Sequence, residues 1–374
     1  MCSFDIRCGQ LLGGILLLGV LVGDRALRAQ PFTPSDWKHV TTYDEGFFAP
    51  DDFRLLDGEP PTSALVLDHQ APKQALARLR LEDGAPVGRT VRTGRGPGEA
   101  SGQGMAISQF SNGGVLLWDG GRRQAYVYDA DLRFEGQVRG LQELSADPVA
   151  LINDSTLAVG IAAPRDALFE LYRLHRGPES VHITEEPLAT VEIPENKAFS
   201  QGQLDENIMI RQGLSRRIGG DLYYGFIFGS LVIGMNEGGL TWATTEPVDH
   251  SLPVYDFRDG SAVVAPQLNE FARGILDLTG DSSYLYALYS GQKVEDDGVL
   301  DRLTGLRAQI EAAKHSDRLF VFDRATGKFV EEMRLPVRAK ALEITDQYAT
   351  LLTTEERDAP TFEVYRIPKS ESAP

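Results

Sequence analysis

One basic cluster interrupts an otherwise acidic chain: Arg211, Arg216 and Arg217 fall within Arg-Gln-Gly-Leu-Ser-Arg-Arg at 211–217. A guanidinium is a planar fork of donors that grips a carboxylate or phosphate at two points. A strand lining a channel at this place would aim Arg211 at an anionic group, with Arg216 a second candidate. The alternative is a solvated turn at Arg216 and Arg217 ahead of the apolar run at Leu222, and the pattern favours the turn. Arg273 carries the same two readings.

Other constellations are thinner. Gly94-Arg95-Gly96-Pro97-Gly98-Glu99 invites a phosphate-cradle reading, because glycines let backbone amides approach an anion. Its spacing fits neither a P-loop nor a dinucleotide loop opening a helix, so the expectation is a structural turn in which Pro97 fixes φ and Gly94, Gly96 and Gly98 supply unusual dihedrals. The six histidines are scattered, with no pair at ligand spacing and no His-Glu-x-x-His. No Gly-x-Ser-x-Gly elbow occurs, and Ser290 reads as a turn residue. Glu295-Asp296-Asp297-Gly298 could hold calcium but lacks the alternating ligands of an EF-hand, and a solvated acidic loop is the simpler reading. Trp118, Trp242, Tyr223 and Tyr224 read as core. No catalytic or metal-ligating residue is therefore assigned, and no cofactor is expected, with calcium left open.

The elements that would position these residues are short strands. Runs rich in Val, Ile, Leu, Tyr and Phe, bounded by Gly, Asp, Asn and Pro, occur at Ser63–Leu67, Val115–Trp118, Ala125–Tyr128, Thr156–Val159, Leu222–Phe228, Leu231–Met235, Tyr284–Tyr289 and Arg318–Phe322. They recur at a loose period of about fifty residues, at which propellers become the expected architecture. The clearest copies are 114–134 and 284–291 completed by 317–329: an apolar strand, a turn, a second apolar strand ending in Asp, and an outward strand. The expectation is an all-β, six-bladed β-propeller of four-stranded antiparallel blades, with seven or eight blades as alternatives. A single β-sandwich of this length would leave the period unexplained. The blades fall near 44–93, 94–140, 141–199, 200–267, 268–336 and 337–368, closed by an N-terminal strand near 37–43. Val299–Lys314 carries apolar residues at helical spacing and reads as one short inserted helix.

The N-terminus has an export signal's layout: Arg7, an apolar run at Leu11–Val22, and Ala-Leu-Arg-Ala-Gln at 26–30. The run is shorter than the roughly twenty residues of a spanning helix. Cleavage is expected after Ala29, leaving 30–374 as a single exported domain, periplasmic or secreted, without membrane insertion. Both cysteines, Cys2 and Cys8, lie inside the signal, so the mature chain must be held by its core alone. A net charge of −17 repels nucleic acid and anionic lipid. Partners are expected to be an envelope or extracellular protein, peptide or glycan.

The segment Gly94-Arg95-Gly96-Pro97-Gly98-Glu99 resembles the Gly-x-Gly-Pro-Gly-Glu loop of bacterial exported six-bladed propellers related to the NHL and TolB-like groups. Tyr286-Ala287-Leu288-Tyr289-Ser290-Gly291 and Leu319-Phe320-Val321-Phe322-Asp323 with Gly327-Lys328 resemble the same family's late blade. The chain departs from that pattern at Ala100, where a bulky apolar residue is usual, and after it, where a proline is expected. The resemblance implies an exported propeller whose relatives mostly lack an assigned activity. The leading reading is thus a non-enzymatic binding or scaffold module, and the alternative is a lactonase-like hydrolase or lyase with a divalent cation in the central tunnel. Convergence of Asp, Glu, Asn or His on the axis would favour the second reading.

Overall fold

The computed structural model describes residues 34–368 except 45–46, 49, 58–59, 69–70, 72–73, 145, 162–166, 178–179, 193–212, 228, 249–256, 259–260, 263–272, 293–312 and 355–359. The signal segment, Arg211, the Glu295–Gly298 loop and almost all of the expected helix lie outside the described residues. Of that helix only Ala313 and Lys314 are described, in a turn.

Strands dominate. β1 (Lys38–Tyr43) pairs with the last strand of the chain, as set out below. β2 (Pro50–Asp57), β3 (Ser63–Asp68), β4 (Leu76–Arg80) and β5 (Pro86–Val91) form one antiparallel sheet in chain order. β6 (Met105–Gln109), β7 (Val115–Asp119), β8 (Gln124–Tyr128) and β9 (Phe134–Arg139) form the next. β10 (Ala146–Asn153), β11 (Thr156–Ile161), β12 (Ala167–Arg176) and β14 (Ala189–Glu192) repeat the pattern. The short β13 (Val181–Ile183) branches from β12 and pairs in parallel with β9, fusing these two sets into one sheet. β15 (Gly213–Ile218), β16 (Asp221–Phe226), β17 (Val232–Asn236) and β18 (Gly239–Thr244) follow. A two-stranded piece, β19 (Phe257–Arg258) with β20 (Ser261–Ala262), precedes β21 (Ile275–Gly280), β22 (Tyr284–Tyr289), β23 (Ser316–Asp323) and β24 (Phe329–Ala339). The final sheet holds β25 (Ala341–Ile344), β26 (Tyr348–Thr353) and β27 (Thr361–Arg366), with β1 as its outermost strand.

Why these residues make strands is visible in their burial. The second strand of each set is apolar on both faces: β7 (Val-Leu-Leu-Trp-Asp), β11, β22 and β26 are buried at every position. Strands covered on both faces read as continuous apolar runs rather than alternating ones. The fourth strands are largely exposed, as β5 and β9 show.

The apolar clusters fall between successive sheets. Leu65, Leu67 and Val91 meet Leu117, Tyr126 and Tyr128, and Trp118, Val127 and Val138 meet Leu157, Val159 and Tyr172. Phe169 and Leu171 meet Tyr224 and Phe226, with the two rings of Phe169 and Tyr224 edge-on at 4.9 Å. Tyr223 and Trp242 meet Tyr289, Phe320 and Phe322, and Tyr286 and Val321 meet Leu351 and Tyr365. Phe362 and Leu352 then meet Phe53, Val66 and Ala77, which returns to the first sheet. Four-stranded antiparallel sheets packed face to face in a ring, each inner strand against the next, are a β-propeller. Trp118, Tyr223, Tyr224 and Trp242 are core residues, at most 9% exposed.

Candidate functional site

The expected solvated turn at Arg216 and Arg217 is incorrect. Gly219 and Gly220 make the turn, and residues 213–218 are the inner strand β15, each paired with a residue of β16. Gly-Gly between two short strands is itself a hairpin signal. The consequence is that Arg216 points inward, 3% exposed.

Arg216 crosses the channel. Its guanidinium ion-pairs with Glu343 of β25 and lies 3.7 Å from Asp52 of β2. Arg54, two residues along β2 and so on the same face, donates to Asp52 and, at 2.6 Å, to the Phe53 carbonyl. Asp277 of β21 completes the group: its carboxylate accepts from the backbone N–H groups of Leu278 and Leu342, each at 2.8 Å. Burial, and then the charge of Asp52, push the Asp277 carboxyl up to about 7, against the opposing pull of Arg54 and the two N–H donors. Inner strands of separate sheets thus deliver three carboxyl groups and two guanidinium groups to one level of the axis.

Toward the end of the inner strands at the Gly219 turn, the channel opens into a cavity of about 210 Å³ lined by Arg54, Ser108, Gln109, Arg216, Arg217 and Glu343. Arg217 bridges sheets here, donating to the Gln109 carbonyl at 3.0 Å and to Asp154 at 2.7 Å. Asp154 also accepts from the Ser111 backbone at 3.0 Å and from its hydroxyl. Burial alone would raise the Asp154 carboxyl, but the Ser111 and Arg217 hydrogen bonds outweigh it and hold it below the ordinary carboxylate range. Arg273 lies ahead of β21, its backbone paired with Gln292 and Gly291. It is not among the residues lining the cavity.

The Gly94–Glu99 loop folds on itself. Thr93 bridges Ala100, the Gly94 N–H donates to the Ala100 carbonyl at 3.0 Å, and the Gly96 N–H donates to the Glu99 carboxylate at 2.7 Å. A Cβ at Gly94 would collide with that carboxylate, and Gly98 has φ +71° with Phe134 packed against it. Tyr128 donates to the Gly98 carbonyl at 3.0 Å and Arg122 donates to that of Glu99, tying the loop to β8 and to the β7–β8 turn. The buried Asp119, the acid ending β7, accepts from Ser101 N at 2.6 Å and Arg122 N at 3.2 Å. An amide that an anion would need is already engaged by Glu99.

Outside that loop lies a groove of about 1330 Å³. The loop forms one wall, β8 and β9 form the floor, and Gln142, Ser180 and Val181 form the far side. Arg95, Arg122, Arg139, Tyr126 and the 41%-exposed ring of Phe134 face it. Tyr126 and Phe134 lie 6.2 Å apart, ring to ring.

Sequence reasoning missed Asp52, Arg54, Asp277 and Glu343. Their signal was a charge inside a short apolar strand, as in Ile-Leu-Asp-Leu at 275–278 and Leu-Glu-Ile at 342–344. Linear spacing also hid the neighbours His175 and His182, which stack at 5.1 Å across β12 and β13. Both are exposed, and no cluster of three or more metal-ligating side chains occurs among the described residues.

No protein-family model matches the chain, and no curated protein matches it. Solved structures do. A member of the DUF4221 family from Bacteroides vulgatus aligns over 89% of this chain and 98% of its own, with 8% identity and a TM-score of 0.51. A putative exported protein from Bacteroides fragilis aligns over 91% and 98%, with 13% identity and a TM-score of 0.47. The β-propeller domain of Cps50 from Myceliophteria thermophila aligns over 88% and 99%, with 11% identity and a TM-score of 0.40. At 8% identity the likeness to the first of these is one of fold alone, and it is the ring of four-stranded antiparallel sheets that makes the chain a β-propeller.

Proposed function

We propose that this protein is an exported six-bladed propeller that works as a non-enzymatic binding or scaffold module, with the rim groove rather than the axis as its contact surface. The observation that carries the reading is the contrast between the two concave places. The three axial carboxyl groups are already engaged, Asp52 and Glu343 by Arg216 and Arg54 and Asp277 by two backbone N–H groups, so a cation entering there would have to displace a guanidinium from a buried pair. The groove is several times larger. The blade count rests on the successive four-stranded sets and on the clusters between them. Kinship with NHL and TolB-like propellers rests on the Gly94–Glu99 loop and the late blade. Export rests on the N-terminal signal pattern, and no helix among the described residues is long and apolar enough to cross a membrane. The partner is an envelope or extracellular component.

Two measurements test the reading. Melting temperature with EDTA, calcium, magnesium or zinc should stay constant, because a ligand that binds only the folded state would raise it. Retention on envelope material of the producing organism should be seen for the wild type and lost in Arg95→Glu/Arg139→Glu. A metal-dependent rise reversed by EDTA, or retention indifferent to the double substitution, overturns it.

A further inference from the structure

We infer that the rim groove takes an acidic oligosaccharide, a sugar chain carrying carboxylate or sulfate groups; this rests on the reading of the groove as the contact surface. In a chain of net charge −17, Arg95 and Arg139 both line the groove. Neither has a side-chain partner among the described residues. The one carboxylate in the lining, Glu135, is already paired with Arg176 at 2.5 Å. The groove is therefore a locally positive surface, complementary to a ligand with spaced negative groups, and the guanidinium fork suits carboxylate and sulfate alike.

The rest of the lining is amide-rich and aromatic. Gln103, Gln137 and Gln142 add carboxamides, which donate and accept at once and so match hydroxyl groups that do the same. The exposed Phe134 ring, backed by Tyr126 and Tyr128 at 6.2 and 5.9 Å, supplies a flat apolar surface for the C–H face of a sugar ring. An extended peptide fits less well. It would add to a free strand edge, but β13 already covers β9 at Val138 and Arg139. A single-stranded nucleic acid would stack successive bases on several aromatic rings, and of the rings lining the groove Phe134 is exposed while Tyr126 is buried.

The test titrates the purified protein at low salt with hexagalacturonate, a sulfated hexasaccharide, neutral maltohexaose and hexaglutamate, following heat by calorimetry. At least one acidic sugar should bind, with maltohexaose weaker by about tenfold or more. Arg95→Glu/Arg139→Glu should lose about tenfold or more with its melting temperature unchanged, and Gln137→Leu should weaken binding less than that. Which acidic sugar binds tighter separates carboxylate from sulfate recognition. Binding undiminished in the double variant, or equal binding of maltohexaose, overturns the inference. Preference for hexaglutamate overturns it while leaving the groove as the contact surface. If no probe binds and envelope retention also ignores the double variant, both readings fall together.

Discussion

The channel and the rim groove are both lined by arginine, yet they use it in opposite ways. Arg216 is buried between Asp52 and Glu343, which come from different sheets of the ring; Arg95 and Arg139 face solvent. The difference follows from position. Inner strands converge on a narrow axis where water is scarce, so a charge there must bring its own counter-charge. Outer strands diverge, and a charge on them remains hydrated and available. The axis of this propeller is tied by cross-sheet ion pairs, and the proposed ligand surface lies on the rim.

The sharpest way to break this contrast is to remove the axial guanidinium. Arg216→Ala would strip Glu343 of the buried guanidinium and leave Asp52 with Arg54 alone, and losing one partner of a buried pair costs about 3–5 kcal/mol. The fall should appear in the urea midpoint. Replacing both members together, as Arg216→Met with Glu343→Leu, should recover much of that loss. A stability loss below about 1 kcal/mol for Arg216→Ala would show that the axis is hydrated and open, against the comparison drawn above.

Asp277 sharpens the same side. The folded state pushes its carboxyl up to about 7, from an ordinary value of 3.8, through burial and the neighbouring charge of Asp52. The folded protein therefore holds this proton more tightly than the unfolded chain does. The resulting stabilisation is complete below about pH 4 and is lost as pH rises through 7. Asp277→Asn removes the titration and one of two acceptors, so it should cost about 1–3 kcal/mol where the wild-type acid is protonated. The gap between wild type and variant should narrow from pH 5 to pH 8 in urea denaturation. A gap constant across that range would place the Asp277 titration elsewhere.

How much of this was legible in the sequence differs between the two regions. The strands could be read because both-face burial leaves unbroken apolar runs such as Val115–Trp118 and Tyr284–Tyr289, which appear as β7 and β22. The axial cluster could not, because its members are more than a hundred and fifty residues apart from Asp52 to Arg216 and meet only when the ring closes. Arg216 and Arg217 were misread as a turn because two adjacent arginines look solvated. The Gly-Gly pair that follows them was the better guide. The groove was half legible: the glycine loop stands out, whereas Gln137 and Arg139 come together with it only through the pairing of β9 with β8.

On the rim side, Gly98→Ala tests whether the glycine loop is a rigid wall. At φ +71° an alanine costs about 1–2 kcal/mol, and its Cβ would press on the Phe134 ring. The substitution should lower the urea midpoint by that amount and displace Phe134, weakening ligand binding in the groove. Unchanged stability would mean that the loop relaxes freely and that its glycines are not needed for this conformation.

The smallest effect is the most discriminating. Arg95→Glu and Arg139→Glu alter side chains with no partner among the described residues, so stability should change by less than about 0.5 kcal/mol, the usual range for such surface sites. Any slight gain or loss should fade with added salt, as expected for charges screened over about 10 Å. If either substitution instead costs more than about 1.5 kcal/mol, that arginine is part of the scaffold like Arg216. The division between a self-neutralised axis and a ligand-facing rim would then fail at that residue.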